Sequence, residues 1–370
     1  MKARPGSAER AEGRRRLRRL QAGLRRRRLD ATIVFDRTNV VYLTGFRSSL
    51  SYLIVTPREA VLFVDGRYIE AARATVRHCE VELFKKIGET LARWRRRIRP
   101  SRVGLEGSIP WSQWREFGSH LPGVELVEAE ELILRARLIK SSSEIRSIQA
   151  SARLNDAVYE STLQALRPGM TELDVRRHLR AEVDRLGVEG QSFDCIIASG
   201  PAASRPHYVP SANRLRRGDL LLIDMGMLVD GYCSDMTRVV ALGSPPKARL
   251  RRAFDAVLEA EEAALREVGP GVKAADLHRL AVEKLRRRGL AGRFTHGLGH
   301  GVGLQIHEAP VLNAYSTDVL RAGMVITIEP GVYLPGQGGV RIEDLVLVTS
   351  TGHRVLSGAT KTFRMVPFEA

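Results

Sequence analysis

The stretch THGLGHGVGLQIHE, residues 295–308, places three histidines and four glycines within fourteen positions. The glycines occupy every second position from Gly297 to Gly303, and a period of two is typical of an extended strand. Glycine within a strand marks a place where another backbone or a ligand comes close. On a regular strand His300 and His307 face opposite sides of the sheet, unless a bulge at the glycines changes this.

Two familiar motifs do not account for this stretch. His307-Glu308 begins the H-E-x-x-H pattern of zinc proteases, but Val311 stands where the second histidine is needed and Pro310 would break the shared helix. The glycine spacing does not fit the G-x-G-x-x-G loop of dinucleotide-binding folds either. A glycine-rich turn with incidental histidines stays open as an alternative, and other parts of the chain have to decide.

Length and composition limit the class of protein. A chain of 370 residues is long enough for two domains with a sizeable core, and a hydrophobic content of 44% is ordinary for a globular protein. No apolar run reaches the roughly 18 residues of a membrane span, and the N-terminus lacks the apolar stretch of a secretory signal. Cys79, Cys195 and Cys233 have no paired spacing, which argues against disulfides and zinc knuckles. We expect a cytoplasmic protein that does not cross a membrane.

Most of the net charge lies at the N-terminus. Residues 1–28 contain twelve Lys or Arg and two Glu, and thus ten of the seventeen net positive charges. The helical spacing of Leu17, Leu20 and Leu24 predicts an amphipathic helix with a solvated basic face, with a nucleic-acid-binding arm as the alternative. A second basic cluster, WRRRIRPSR at 94–102, adds little to that alternative. Charge and small residues favour disorder over residues 1–12.

The order of helix and strand patterns predicts two domains after this basic segment. Residues 29–137 alternate β-branched strands with turns and helices, an α/β pattern. The character changes near Lys140, where SSSE forms a capping box that opens a long helix ending near Ala165. A second helix starts at Thr171 and runs to Leu186. Two further helices are predicted at 247–268 and 274–288. Strands are predicted at 193–198, 219–228, 232–241, 324–329 and 340–348. Residues 138–370 are therefore expected to form an α+β domain, with an antiparallel sheet and helices on one side.

A hairpin is predicted for LLLIDMGMLVDGYCSDMTRVV, residues 220–240. Asp230-Gly231 is a dipeptide favoured in two-residue turns. If these two residues form the loop, Val229 pairs with Tyr232 and Asp235 lies opposite Gly226. The turn therefore sets the register of everything that precedes and follows it.

This register makes Asp224 and Asp235 diagonal neighbours on one face, roughly 7–8 Å apart at the backbone. That distance leaves room for a cation between the two carboxylates. Unpaired carboxylates on an apolar strand are costly to desolvate, and a metal ion removes that cost. The alternative is that both aspartates are exposed or paired with Arg238.

Two further acids stand where a sheet core usually has Val or Ile. Glu329 ends the apolar strand of GMVITIEPG, and Glu343 lies inside the strand of GGVRIEDLVLV. Four carboxylates and His300, each in an unfavourable local context, are better explained together than separately. Oxygen-rich ligation with one imidazole indicates a pair of divalent ions, with Mn favoured over Co, Fe or Zn.

The set of motifs resembles the pita-bread metallopeptidases, the group that contains methionine aminopeptidase, aminopeptidase P and prolidase. The segments that resemble the Xaa-Pro peptidases of this group are ASGPAASRPHYVP, IDMGMLVDGYCSDMTR, HGLGHGVGLQIHEAP, TIEPGVY and GGVRIED. The front part, with LDATIVFDRTNVVYLTGF, is similar to the smaller creatinase-type N-terminal domain of the proline-directed members. The resemblance covers most of the chain and implies a pita-bread catalytic domain at 138–370.

The resemblance implies a role for each candidate site residue. The five metal ligands would be Asp224, Asp235, His300, Glu329 and Glu343, with Asp235 and Glu343 bridging two ions. His207 and His307 would donate hydrogen bonds to the scissile carbonyl and the oxyanion, while His296 and Arg341 would orient ligands and substrate. Glu329 would carry the proton from the attacking water to the leaving proline nitrogen.

One departure from the resemblance bears on the substrate. Many compact prolidases have an arginine directly after the H-E-x-P proline, where it can bind the free carboxylate of a dipeptide. In this chain that position is Val311. We therefore expect a Xaa-Pro aminopeptidase acting on proline-containing peptides, with a Xaa-Pro dipeptidase as the alternative and a non-catalytic binding protein as a remote one. The family architecture also implies a homodimer.

Overall fold

The computed structural model describes residues 7–368, with side chains described from residue 11 onward. By its internal contacts the chain divides into two compact units, Met1–Arg137 and Leu138–Ala370. Within the described residues, no helix combines the length and apolar character needed to cross a membrane.

The N-terminal unit is a six-stranded mixed sheet with helices. In chain order its elements are α1 (Ser7–Arg27), β1 (Ala31–Val34), α2 (Arg37–Thr44), β2 (Ser51–Val55), β3 (Ala60–Val64), α3 (Ile69–Thr75), β4 (Glu80–Leu83), α4 (Ile87–Ile98), β5 (Arg102–Leu105), α5 (Trp111–His120), β6 (Glu125–Glu128) and α6 (Glu131–Leu138). The strand order is β4-β3-β2-β1-β5-β6. Pairing is antiparallel in β1-β2 and β2-β3 and parallel in the other three pairs.

Helix α1 has the predicted amphipathic character. Leu17, Leu20 and Leu24 are buried, and the arginines between them are mostly exposed. The Arg16 guanidinium lies 4.3 Å from the centre of the Tyr42 ring and donates to the Tyr42 carbonyl at 2.7 Å. The helix begins at Ser7, so the expectation of disorder over residues 1–12 is wrong for its second half, while residues 1–6 lie outside the described part.

The C-terminal unit contains the longest described helix, α7, and most of the described strands. Its elements are α7 (Ser142–Ala165), α8 (Glu172–Arg185), β7 (Gly190–Gln191), β8 (Ile196–Ser199), β9 (Leu220–Met225), β10 (Met227–Val229), β11 (Tyr232–Cys233), β12 (Met236–Leu242), α9 (Ala248–Arg266), α10 (Ala274–Arg287), β13 (Gly299–Gly301), β14 (Glu308–Leu312), β15 (Val325–Ile328), β16 (Gly331–Leu334), β17 (Gly338–Arg341), β18 (Asp344–Val348), β19 (His353–Val355) and β20 (Arg364–Val366), with short 3-10 helices at Gly200–Ser204 and Ala291–Arg293. The two larger sheets have the orders β20-β12-β9-β8 and β14-β13-β15-β18-β19.

Helices cover both faces of the sheet that contains β9 and β12, so the expectation of helices on one side is wrong. Leu220 and Leu222 share a core with apolar residues of α9 and α10. Leu221 and Ile223 share a second core with residues of α7 and α8. A strand buried on both faces shows no alternation of apolar and polar residues, and this explains the continuous run LLLI.

Local signals predicted the helices of this unit well. Ser141 and Glu144 form a capping box at the start of α7, and Thr171 and Asp174 form another at the start of α8. Each box satisfies backbone N–H groups that the first helical turn leaves without partners. The helix predictions at 247–268 and 274–288 are confirmed within two residues at either end.

The long strands of the prediction are interrupted in the structure. The segment 219–228 breaks at Gly226, 232–241 breaks at Ser234-Asp235, and 340–348 breaks at Ile342-Glu343. The expectation that Glu343 lies inside a continuous strand is therefore wrong. At each break the chain passes from one sheet to another, and β17 and β18 belong to different sheets.

Candidate active site

The predicted hairpin brings Asp224 and Asp235 onto one face. Val229 pairs with Tyr232, and Asp230 and Gly231 have φ angles of 54° and 83°, as a two-residue turn of this hand requires. The same register continues beyond the break, where Thr237 lies opposite Asp224. The hairpin register expected from the turn dipeptide is confirmed.

Three acids of the predicted set lie at interruptions between strands. Asp235 precedes β12, Glu329 lies between β15 and β16, and Glu343 lies between β17 and β18. At each of these positions the chain leaves the hydrogen-bond ladder of one strand pair before it joins the next ladder. A side chain at such a position is released from strict alternation and can turn toward the space between the sheets.

His300 completes this group of side chains. Its Nε2 atom lies 3.6 Å from Asp235 Oδ2 and 3.3 Å from Glu329 Oε1. Asp235, His300 and Glu343 each offer a ligand atom, and these atoms lie within 4.8 Å of one another. Asp224 enters the same buried space from β9. The structure therefore brings together the four carboxylates and the imidazole that were selected from the sequence.

The alternating glycines allow this close approach. A Cβ atom at Gly299 would lie 2.1 Å from the Thr327 carbonyl oxygen, so a larger residue does not fit between β13 and β15. The pairing of β13 with β14 shifts register between His300 and Gly301. This irregularity is the bulge that the glycines of this stretch could produce. His307 lies beside His300, with the ring centres 4.4 Å apart.

Burial and mutual repulsion perturb the acids strongly. Burial raises the pKa of Asp235 and of Glu343 well above the ordinary range, and neighbouring carboxylates raise both further. Burial also raises the pKa of Glu329 to about 7. For His300, burial lowers the pKa to about 4, so its imidazole is neutral near pH 7 and has a lone pair to offer.

Arg341 connects several of these groups. Its guanidinium is buried and donates to Asp224 Oδ2, to Thr237 Oγ1 at 3.0 Å and to the Tyr333 hydroxyl at 2.8 Å. Thr237 in turn donates to Glu343 Oε2 at 2.6 Å. One arginine therefore fixes two acids of the group, directly for Asp224 and through a hydroxyl for Glu343.

His296 lies at the far end of the same hydrogen-bond chain. Its Nε2 atom is 2.9 Å from the Tyr333 hydroxyl, and its Nδ1 atom is 2.8 Å from the Gly297 carbonyl oxygen. Burial, followed by the positive charge of Arg341, lowers its pKa to about 4. His296 therefore connects to Arg341 through the Tyr333 hydroxyl.

His207 and His307 lie at the exposed edge of the site. His207 lies in the segment between β8 and β9 and follows directly after Pro206. The backbone carbonyl of Pro206, the residue before it, accepts from Arg341 Nη1 at 3.4 Å. All nine residues selected from the sequence thus lie in one region of the C-terminal unit.

Sequence reasoning missed three hydroxyl residues in this region. Thr327 Oγ1 accepts from the His300 backbone N–H at 3.0 Å and donates to Glu329 Oε1 at 3.2 Å. Thr237 and Tyr333 make the contacts described above. Period-two spacing offered a signal for the threonines, because Thr237 is two residues after Asp235 and Thr327 is two residues before Glu329.

The donor set fits divalent metal ions. Asp224 Oδ1 is buried and has no hydrogen-bond partner among the residues that the structure describes. Carboxylates held close together in a buried site repel one another, and this repulsion adds to the effect of burial in raising the pKa of Asp235 and of Glu343. A cation removes the repulsion and satisfies the remaining oxygen.

Comparison with known proteins identifies the class and the family. Residues 146–350 match the model of metallopeptidase family M24, and residues 16–139 match the creatinase/prolidase N-terminal domain. Together with the fold and the buried acid group, these matches define a pita-bread metallopeptidase with a creatinase-type N-terminal domain. Within that class, the chain belongs to metallopeptidase family M24. Its membership also implies that it binds divalent metal ions.

The similarity to known relatives, in sequence and in structure, covers both units. A Xaa-Pro dipeptidase of Pyrococcus furiosus is 37% identical over 338 residues, which cover 91% of this chain and 94% of the relative. The solved structure of a Xaa-Pro dipeptidase from Bacillus anthracis has a TM-score of 0.92 at 31% identity and covers 96% of this chain and 100% of its own. That of an X-Pro aminopeptidase from Thermotoga maritima has a TM-score of 0.86 at 30% identity, with 91% and 98% covered. The chain is thus similar to proteins of both named activities.

Proposed function

We propose that this chain is a Xaa-Pro aminopeptidase, which hydrolyses the bond before proline at the N-terminus of a peptide. The observation that carries the proposal is the buried group of Asp235, His300 and Glu343, whose ligand atoms lie within 4.8 Å of one another. Relatives named Xaa-Pro dipeptidase and X-Pro aminopeptidase support the choice of substrate class. A Xaa-Pro dipeptidase is the alternative.

The proposed ligands, which would hold two divalent metal ions, are Asp224, Asp235, His300, Glu329 and Glu343. We propose Mn as the ion, with Co, Fe and Zn as alternatives, because oxygen ligands predominate over the single imidazole. Such ions supply Lewis acidity, which polarises a peptide carbonyl and lowers the pKa of water toward neutrality.

The side chains around this set divide the remaining work. We assign to Glu329 the transfer of a proton from the attacking water to the proline nitrogen that leaves. His307 and His207 would donate to the scissile carbonyl oxygen as it becomes an oxyanion, a contact that commonly contributes about 10²–10³ in rate. Both rings lie at the exposed edge of the site, where a peptide can reach them.

Arg341 and His296 would act by orientation. Arg341 holds Asp224 directly and Glu343 through Thr237. His296 bonds the Tyr333 hydroxyl, to which Arg341 also donates. Groups that hold the ligands in place contribute by keeping a productive geometry, and replacing them typically costs about 10–100-fold in affinity or activity.

Val311 favours the aminopeptidase over the dipeptidase. It is 45% exposed, stands directly after Pro310, and lies opposite His300 in the β13-β14 ladder. The isopropyl side chain of valine cannot pair with the free carboxylate that a dipeptide carries on its proline. A longer peptide has a neutral amide at that point and does not need such a partner.

The remaining proposals concern the whole chain. We propose that residues 138–370 are the catalytic domain, residues 29–137 the creatinase-type domain, and residues 1–28 a basic segment with a solvated face. The reducing cytoplasm is the proposed location, because Cys79, Cys195 and Cys233 have no paired spacing in the sequence. A homodimer, and the absence of nucleic acid as a partner, stay predictions.

The test compares a dipeptide with a tripeptide. Metal-stripped protein is supplied with Mn, Co or Zn and offered Gly-Pro or Gly-Pro-Ala, and release of glycine is measured. We expect metal-dependent cleavage of the tripeptide that is lost in Asp235→Ala and kept in Asp255→Ala, which changes an exposed carboxylate of α9. Activity confined to Gly-Pro would identify a dipeptidase, and no turnover of either peptide with any metal would contradict the Xaa-Pro assignment.

A further inference from the structure

Glu172 is a fully buried carboxylate outside the proposed ligand set. It is the first residue of α8 and has 0% of its surface exposed. Burying a carboxylate is costly unless hydrogen bonds compensate for the lost water. The location of its hydrogen-bond donors therefore indicates what Glu172 does in the fold.

Among the residues that the structure describes, the side-chain carboxylate of Glu172 accepts hydrogen bonds from one segment only, residues 199–213. At one end of it, the Ser199 N–H donates to Oε1 at 2.9 Å, and at the other end Asn213 Nδ2 donates to Oε1, also at 2.9 Å. In between, the Tyr208 hydroxyl donates to Oε2 at 2.8 Å and the Ser211 N–H at 3.1 Å. One carboxylate thus fastens both ends and the centre of this segment.

The segment carries His207 and has little regular structure to hold it. Apart from the 3-10 helix at Gly200–Ser204, it contains no helix or strand between β8 and β9. The two neighbours of His207 are nevertheless each fixed by a charged side chain. Arg341 donates to the Pro206 carbonyl on one side, and Glu172 accepts from Tyr208 on the other.

The backbone at the start of α8 strengthens the same attachment. The Glu172 N–H donates to the Asn213 carbonyl at 3.0 Å, and the Leu173 N–H donates to the Ser211 carbonyl at 3.1 Å. Two helix-initial N–H groups, which have no partner within a helix, are thereby satisfied by the segment. Because α8 is rigid, it gives the segment a fixed reference outside the acid group.

We propose that Glu172 is a positioning residue for the reaction: it holds residues 199–213 so that His207 stays at the edge of the acid group. The inference rests on the substrate role proposed above for His207. A ring on a loosely held segment would sample many orientations, and a displacement of about 1 Å in a catalytic contact can cost on the order of 10²-fold in rate. Glu172 reduces that freedom without touching the substrate.

The isosteric change Glu172→Gln is the main test, since an amide has one acceptor atom in place of two. We expect kcat/KM for Gly-Pro-Ala to fall about 10-fold, with the amount of bound Mn unchanged. In a His207→Ala background the same substitution should change kcat/KM less than two-fold, because Glu172 acts through His207. Tyr208→Phe, which removes one donor and leaves the carboxylate in place, should cause a smaller loss of the same kind.

A matched control separates positioning from stability. Glu106 is also a buried carboxylate that accepts two backbone N–H groups, from Phe35 and Asp36, but it lies in the N-terminal unit. Glu106→Gln should leave kcat/KM unchanged. A full 10-fold loss for Glu172→Gln in both backgrounds, or no loss in either, would overturn the inference while the wild-type activity still stood. A wild-type protein without Xaa-Pro activity would overturn the proposed function, and this inference with it.

Discussion

Single residues show which parts of the site a sequence can reveal. Acids in apolar strands stand out, so Asp224 and Glu329 were selected from the sequence and lie in the buried group. Thr237 and Thr327 were not selected, because threonine is a common strand residue. Their spacing of two residues from Asp235 and Glu329 was a signal in the sequence, but it does not show which groups their hydroxyls contact across the fold.

Glu106 supports a prediction about pH at this scale. Its pKa is raised to about 7, chiefly by burial, although Phe35, Asp36 and Asn39 donate to it. The folded state holds the proton more tightly than the unfolded state, so the contribution of Glu106 to the stability of this unit is largest below about pH 4.5. This contribution should fall by roughly 2–3 kcal/mol as pH rises toward 7 and stay constant above it.

Tryptophan fluorescence measures this effect selectively. The three tryptophans, Trp94, Trp111 and Trp114, all lie in the N-terminal unit, so their emission reports its unfolding by urea. The free energy of unfolding of the wild type, taken relative to Glu106→Gln, should decrease between pH 4.5 and pH 7. A difference that stays constant over this range would show that Glu106 does not titrate with a raised pKa.

At the scale of helices and strands, features that depend on neighbouring residues were predicted correctly, whereas features that depend on long-range strand pairing were missed. Helices α7 and α8 were predicted with their caps, because a capping box is contained within four residues. The strand breaks at Gly226 and Glu343 were missed, because alternation does not show where a chain changes sheets. The hairpin register was predicted since its turn, Asp230-Gly231, is local.

The loop that carries His307 supports a prediction at this scale. Lys140 precedes α7, and its Nζ donates to Glu308 Oε2 at 3.2 Å, with 2% and 7% of the two side chains exposed. Glu308 Oε1 accepts from the Gln305 N–H at 3.1 Å, so the pair fastens the loop before His307. Lys140→Met leaves a buried carboxylate without this cation and should destabilise the C-terminal unit by about 3–5 kcal/mol.

A double-mutant cycle identifies the pair as the cause. Glu308→Gln alone should also destabilise, and Lys140→Met combined with Glu308→Gln should cost less than the sum of the single changes. Circular dichroism is a suitable measure, since the C-terminal unit contains no tryptophan among its residues. Strictly additive free energies of unfolding would mean that the two side chains stabilise the unit independently.

At the scale of the whole molecule, the resemblance predicted more than composition did. The net charge of +17 suggested a nucleic-acid partner, yet ten of the seventeen charges lie within residues 1–28, and the leucines of α1 in this segment are buried. The order of five motifs predicted the fold and the family, both of which are shown by the comparisons. Helices on both faces of the main sheet were not predicted, because strands buried on both sides carry no alternation.

The number of metal ions bound per chain tests the central claim most directly. Metal-stripped protein would be dialysed against Mn and its metal content determined by elemental analysis, alongside Glu343→Gln and the exposed-site control Asp255→Asn. The account predicts two ions per chain for the wild type and for Asp255→Asn, and markedly fewer for Glu343→Gln, which loses a shared ligand. A wild type that binds no ions, or a Glu343→Gln protein that binds as many as the wild type, would contradict it.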